Sequence, residues 1–219
     1  MDPEFWIERW QKGETGFHRA VPHDQLARFW STLGLAPGTT IFVPLCGKSL
    51  DMVWLAEVGH RVIGAELSEL AVDSFFAERG LVPDVETKPG FSVKRAGPYE
   101  IWCGDIFALS PAVTAGVAAV YDRAALVAFP PAEQPRYAAK LGDLTPRAAP
   151  IALVGLAFNQ SFDGPPFNTG LETVVSLFGP SHEVAVLEAR DGLAASPNLR
   201  DRGVDRLVES LYLLRRRTA

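Results

Sequence analysis

Residues 41–68, IFVPLCGKSLDMVWLAEVGHRVIGAELS, constrain the fold more than any other stretch of the chain. An apolar run, Ile41 to Val43, enters a short loop, Pro44 to Ser49. A helical segment follows and stops at Gly59. A second strand, Arg61 to Ala65, leads straight into a carboxylate, Glu66. The unit is strand, loop, helix, strand, with an acid at the tip of the second strand. Glu66 stands 19 residues after Gly47, close to the ~20-residue spacing at which such an acid meets a ribose in nucleotide-binding sheets. The loop is not the dinucleotide fingerprint, because only Gly47 is present where three spaced glycines are expected. It is not a phosphate loop either, because GKS lacks the upstream glycine. A cofactor without a pyrophosphate needs fewer glycines. The reading is a nucleoside cofactor with a short, phosphate-free tail, and S-adenosylmethionine fits.

The 219 residues suffice for one domain with a full core. A net charge of −5 argues against a dedicated nucleic-acid binder, which carries a basic balance. No apolar stretch reaches the ~18 residues needed to span a membrane. MDPEFWIERWQKG lacks the basic-then-apolar pattern of a secretory signal, and two cysteines, Cys46 and Cys103, make no disulfide framework. A cytoplasmic, reduced protein is expected, without nucleic-acid or membrane partners. No long heptad is present, so a monomer is expected.

Along the chain, Asp2-Pro3 reads as a helix start and Gly13 as its stop. Trp6 and Trp10, four apart, share one face of that helix. Gln25 to Leu33 reads as a helix ending at Gly34. Ser49 to Val58 forms the next, and Ser68 caps another that closes at Gly80. Val93–Arg95 and Glu100–Cys103 read as a hairpin around Gly97-Pro98. Gly116–Tyr121 reads as a fully buried parallel strand and Ala149–Phe158 as another buried strand. Helices are expected over Pro131–Leu144 and Glu172–Leu177. Glu183–Ala189 and Leu207–Leu214 read as a final strand pair with a loop, 190–203, between them. The sum is a doubly wound α/β sheet with an antiparallel edge.

Several of these stretches, taken together, are specific. FWIERWQKGETGFH, FVPLCGKSLDMVWLAEVGHRVIGAELSELAVDSFF, IWCGDIF, YDRAALVAFPP, GPPF and LVESLYLL follow one another from residue 5 to about residue 214. In order and spacing they resemble the thiopurine S-methyltransferases. The resemblance implies S-adenosylmethionine as cofactor and a seven-stranded, Rossmann-like methyltransferase sheet with an antiparallel edge strand, spanning residues 1–219 as one domain. It implies that residues 1–23 form a lid over the cofactor. Position by position, Trp6 and Trp10 fall on the aromatic pair of that lid, and Phe17 on an aromatic at the substrate mouth. Leu45 falls where the backbone meets the methionine part, Glu66 on the ribose-binding acid, and Asp105 and Ile106 on the pair beside the adenine. Arg123 falls on the arginine of DRxAL, where cofactor and acceptor meet; it is the expected catalytic group. Phe158, ending the strand that leads toward GPPF, falls on the acceptor side. The vertebrate members have an arginine near Asn198; here Arg200 and Arg202 are the nearest basic residues, and Arg200 is the expected acceptor contact.

Each residue also has a plainer reading. Trp6 and Trp10 fit a core stripe. Glu66 fits a surface acid at a helix start. Arg123 fits a structural ion pair with Asp122, and Asp105 a turn residue after Gly104. Cys46 and Cys103 read as small buried residues rather than nucleophiles. The four histidines show no metal-ligand spacing. The expected activity is methyl transfer to a small, soft nucleophile, an aromatic or heterocyclic thiol, with selenium or tellurium species also in view. The rivals are a relative that methylates a halide, thiocyanate or oxygen nucleophile, and a protein that binds S-adenosylmethionine without turnover.

Overall fold

Short polar caps open the two helices that follow the first two strands. The Ser49 hydroxyl accepts the Asp51 amide at 3.1 Å and opens α3, Leu50–Glu57. The Ser68 hydroxyl accepts the Ala71 amide at 3.3 Å and opens α4, Glu69–Ala77. Each bond satisfies one of the amides left orphaned at a helix start. The computed structural model describes residues 3–159 and 162–217. The chain folds as two compact units, residues 1–120 and 121–219.

In the first unit α1 spans Pro3–Lys12 and ends at Gly13, whose φ of 71° is the left-handed stop expected there. Asp2 lies outside the described residues. α2 covers Asp24–Phe29 and continues as a 3-10 turn, Trp30–Leu33, closed by Gly34 at φ 64°. The strands are β1 (Thr40–Pro44), β2 (Arg61–Glu66), β3 (Asp84–Lys88), β4 (Phe91–Ala96) and β5 (Tyr99–Cys103). β6 (Val117–Arg123) begins in this unit, where Thr40 to Phe42 pair with Val117 to Val120. β1 and β2 run parallel, as do β2 and β5, and β1 and β6. β4 is antiparallel to β5, and β3 to β4. The three parallel strands β1, β2 and β5 therefore end side by side at Pro44, Glu66 and Cys103.

In the second unit α5 (Gln134–Leu144) follows the end of β6, and β7 (Ile151–Phe158) is buried along most of its length. α6 (Leu171–Phe178), β8 (His182–Asp191), α7 (Pro197–Asp201) and β9 (Leu207–Arg216) complete it. β9 lies antiparallel to both β7 and β8. β8 and β9 are the expected final strand pair; β8 begins one residue earlier and ends two later than expected, and β9 runs two residues past Leu214.

The described residues hold nine strands rather than seven. The additional pair is β3 and β4, antiparallel and added beyond β5. β3, DVETK, is exposed along nearly its whole length. It buries no alternating apolar face, so its strand state comes from pairing with β4 and not from its own pattern. α7 was also hidden inside the expected loop 190–203; Leu199 is its one buried residue among the five.

Candidate active site

The C-terminal ends of parallel strands are where open α/β sheets place their ligands. At the end of β2 the Glu66 side chain is 7% exposed. One carboxylate oxygen accepts the Gly47 amide at 2.7 Å and the other accepts the Ser68 amide at 2.8 Å. The acid thus ties the loop after β1 to the start of α4. An ionised carboxylate accepts about four hydrogen bonds, so two amides leave capacity for further donors. Burial pushes the Glu66 carboxyl up, while the Ser68, Gly47 and Leu67 amides pull it down. An acid so placed is not the surface helix-start acid of the plainer reading.

The loop after β1 is built for close approach. Leu45 has φ 46° and Gly47 φ 50°. A non-glycine residue there is uncommon and held only where its surroundings over-determine it. A Cβ built on Gly47 would lie 2.9 Å from Trp10 Cζ2 and 3.9 Å from a Glu66 carboxylate oxygen. The Trp10 indole, 8% exposed, therefore lies directly on the turn. Trp6 and Trp10 both meet Phe17 edge to face, at centroid distances of 5.6 and 5.5 Å. These contacts bring together Trp6, Trp10, Phe17, Gly47 and Glu66. β5 pairs Cys103 with Glu66, and the Gly104 amide donates to the Glu66 carbonyl at 2.8 Å. That places exposed Asp105 and buried Ile106 one step beyond the same strand ends. The Asp105 carboxylate accepts the Phe107 amide at 2.9 Å. It is a turn residue in addition to any ligand role.

In the second unit β6 ends on Asp122 and Arg123. Asp122 is fully buried and accepts the Tyr137 hydroxyl at 2.7 Å and the Leu126 amide at 3.2 Å. Arg123 is partly buried. Neighbours in a strand point to opposite faces, so the buried carboxylate and the guanidinium leave β6 in different directions. Ala124, next in line, has φ 64°. Leu45 and Ala124 are the two non-glycine residues with positive φ among the described residues; Leu45 follows β1 and Ala124 follows β6.

Phe158, at the end of β7, packs with Leu199, Val204 and Leu207. It stacks on Phe162 at 5.8 Å. Arg202 lies 3.6 Å from the Phe162 ring centroid and donates to the Asp163 and Pro165 carbonyls, both at 2.8 Å. Arg200 is exposed on α7. Of the two arginines, Arg202 holds the start of the GPPF segment, through the Asp163 and Pro165 carbonyls. Gln160 and Ser161, in the polar tip of that strand, lie outside the described residues.

Cys46 and Cys103 are free and buried. Burial pushes the Cys46 thiol far up and Cys103 to about 11, so neither is a ready thiolate. Among the described residues no group of three or more His, Cys, Asp or Glu is placed to hold a metal.

The family model for thiopurine S-methyltransferase matches residues 1–217. The chain belongs to the thiopurine S-methyltransferase family. It is 46% identical over 219 residues to a thiopurine S-methyltransferase of Methylococcus capsulatus, covering 98% of each chain. It is 47% identical over 218 residues to one of Azotobacter vinelandii, covering 99% of this chain and all of that one. Among solved structures it is similar to a SAM-dependent methyltransferase from Anabaena variabilis, with TM-score 0.64 and 16% identity over 99% of this chain and 96% of that one. It is also similar to a phosphoethanolamine N-methyltransferase 2 of Haemonchus contortus solved with S-adenosylhomocysteine, with TM-score 0.70 and 8% identity. That likeness covers all of this chain and 61% of the other. The fold is that of the S-adenosylmethionine-dependent methyltransferases, and this family member is such an enzyme.

The amides of Gly47 and Ser68 that aim Glu66 were not foreseen, nor was Tyr137 as the partner of Asp122. Backbone amides carry no side-chain signal. Tyr137 sits on an amphipathic helix like any core aromatic.

Proposed function

We propose that this methyltransferase moves the methyl group of S-adenosylmethionine to a small, soft nucleophile, an aromatic or heterocyclic thiol. The observation that carries the reading is the Glu66 carboxylate, buried at the β2 tip and aimed by the Gly47 and Ser68 amides beneath the Trp10 ring. The Gly47 position, where a Cβ would collide with that ring, and the remaining acceptor capacity of Glu66 fit a nucleoside.

When bound, the cofactor supplies an electrophilic methyl on a sulfonium sulfur. The chain's own residues then have separate tasks. Glu66 accepts the vicinal ribose hydroxyls. The Leu45 backbone meets the methionine part, and Asp105 and Ile106 flank the adenine. The faces of Trp6 and Trp10 tolerate the cation through their negative quadrupole, about 0.5–2 kcal/mol each, and exclude water. Arg123, always charged, stabilises the anionic acceptor, so no dedicated base is required when the acceptor ionises near neutral pH. Phe17 in the first unit and Phe158 and Arg200 in the second are the residues assigned to acceptor binding, and Arg202 holds the loop that carries Phe162. Residues 1–23 act as the lid of a methyltransferase domain spanning 1–219. A reduced, cytoplasmic monomer accords with two free buried cysteines and the acidic balance; no helix among the described residues is long and apolar enough to cross a membrane.

The test is transfer from methyl-labelled cofactor, with a chelator present, to a panel of thiophenol, 2-mercaptopyridine, 6-mercaptopurine, iodide, thiocyanate and selenite. The expected result is a methyl thioether from at least one aromatic thiol. Product from the other acceptors alone would overturn the thiol assignment. No product from any, with S-adenosylhomocysteine still bound, would contradict turnover itself.

A further inference from the structure

Immediately behind Arg123 the chain buries a carboxylate, Asp122, whose partners are the Tyr137 hydroxyl at 2.7 Å and the turn amide of Leu126 at 3.2 Å. Between them lies Ala124 at φ 64°, a left-handed conformation that is unfavourable for a residue with a Cβ and persists only when neighbours impose it. The Tyr137 ring is itself fixed. It stacks on Phe129 at 4.6 Å and 22°, and the Gln134 side-chain amide donates to the Phe129 carbonyl at 3.1 Å. The line therefore runs from α5 through the Tyr137 hydroxyl to Asp122 and into the turn that carries Arg123. A carboxylate taken wholly out of water is costly to keep. Holding a core together would not require it at this spot.

We infer that Asp122 and Tyr137 are positioning residues for methyl transfer: together they hold the strained turn that sets the direction of the Arg123 guanidinium. The inference rests on the reading of Arg123 as the group that stabilises the acceptor anion. An arginine that must meet a forming transition state gains from a fixed base, because misplacement by about 1 Å costs ~100-fold in rate. Asp122 provides that base by holding the turn amide with one side and α5 with the other.

The test is a double-mutant cycle of Tyr137→Phe with Arg123→Ala, assayed with the panel thiol that wild-type protein methylates fastest. Tyr137→Phe keeps the ring stack and removes only the hydroxyl. Rates are taken well below the melting midpoint of each variant, and S-adenosylhomocysteine affinity is measured on the same samples. The expected result is a fall in kcat of about tenfold for Tyr137→Phe, cofactor-product affinity within about threefold of wild type, and no further loss when the change is made on Arg123→Ala. An equal loss in both backgrounds, or none in the wild-type background, would overturn the inference and leave the Arg123 reading standing. Wild-type turnover by Arg123→Ala, or no thiol turnover by wild type, would instead sink that reading and the inference with it. If Tyr137→Phe does not fold, Asp122→Asn enters the same cycle, since its carbonyl still accepts the turn amide while its amide group cannot accept the Tyr137 hydroxyl.

Discussion

Glu66 shows how one side chain can be legible in the sequence while its reason is not. Its position after β2 and its distance from Gly47 single it out as a candidate ribose acid, yet the two amides that aim it appear only in the folded chain. Gly47 is the complementary case. Its left-handed φ and its contact with Trp10 exclude any side chain. For Gly47→Ala the account predicts ~1–2 kcal/mol of lost stability from the left-handed φ alone. It also predicts weaker S-adenosylhomocysteine binding, by about tenfold, as Trp10 is displaced. Thermal melting and calorimetry on one sample check both, and wild-type values for each would show that the turn is not built around the glycine. Asp122 carries a pH signature. Burial holds its carboxyl up to about 6, against an ordinary value near 4. The folded state binds this proton more tightly than the unfolded chain does. The stability it contributes is thus fully present below about pH 4 and lost as pH rises through about 6. Asp122→Asn lacks that dependence. The melting midpoint of wild type minus that of the variant is predicted to fall as pH rises from about 4 to 7, and a flat difference would contradict the assignment.

At the level of elements, the helix starts at Ser49 and Ser68 and the stops at Gly13 and Gly34 were readable because caps and left-handed glycines have local chemistry. Family resemblance singled out Arg123 in the DRxAL stretch, and of the two later arginines it pointed to Arg200 and not to Arg202. Two arginines two residues apart differ only in what the fold puts beneath them, here the Phe162 ring and two loop carbonyls. β3 escaped because pairing, not pattern, makes it a strand. α1 packs directly on the loop after β1. Its Trp10 seals the turn after β1, and its Trp6 reaches Phe17. If this helix is the lid, amide exchange over residues 4–20 should slow when S-adenosylhomocysteine binds, because lids close over the ligand they sequester. Identical exchange with and without the ligand would make α1 a permanently packed helix.

For the whole molecule, family membership over residues 1–217 and the parallel ends of β1, β2 and β5 lead to the same ligand edge. The β3–β4 pair extends the sheet beyond β5; its turn at Gly90 packs against Gly104 at the end of β5, and its outer strand carries charge and little apolar surface. The acceptor side is where resemblance says least, since Asn198 stands near the place of the vertebrate arginine. The cofactor side is therefore where the account stands or falls, and titration calorimetry of S-adenosylhomocysteine against wild type and Glu66→Gln, with a chelator present and melting curves alongside, tests it most directly. Loss of charge-assisted bonds worth ~1.5–3 kcal/mol each predicts one site per chain in the wild type and an affinity at least about tenfold weaker in the folded variant. Equal affinity in the two, or no binding by the wild type, would contradict the Glu66 cradle as the seat of the cofactor.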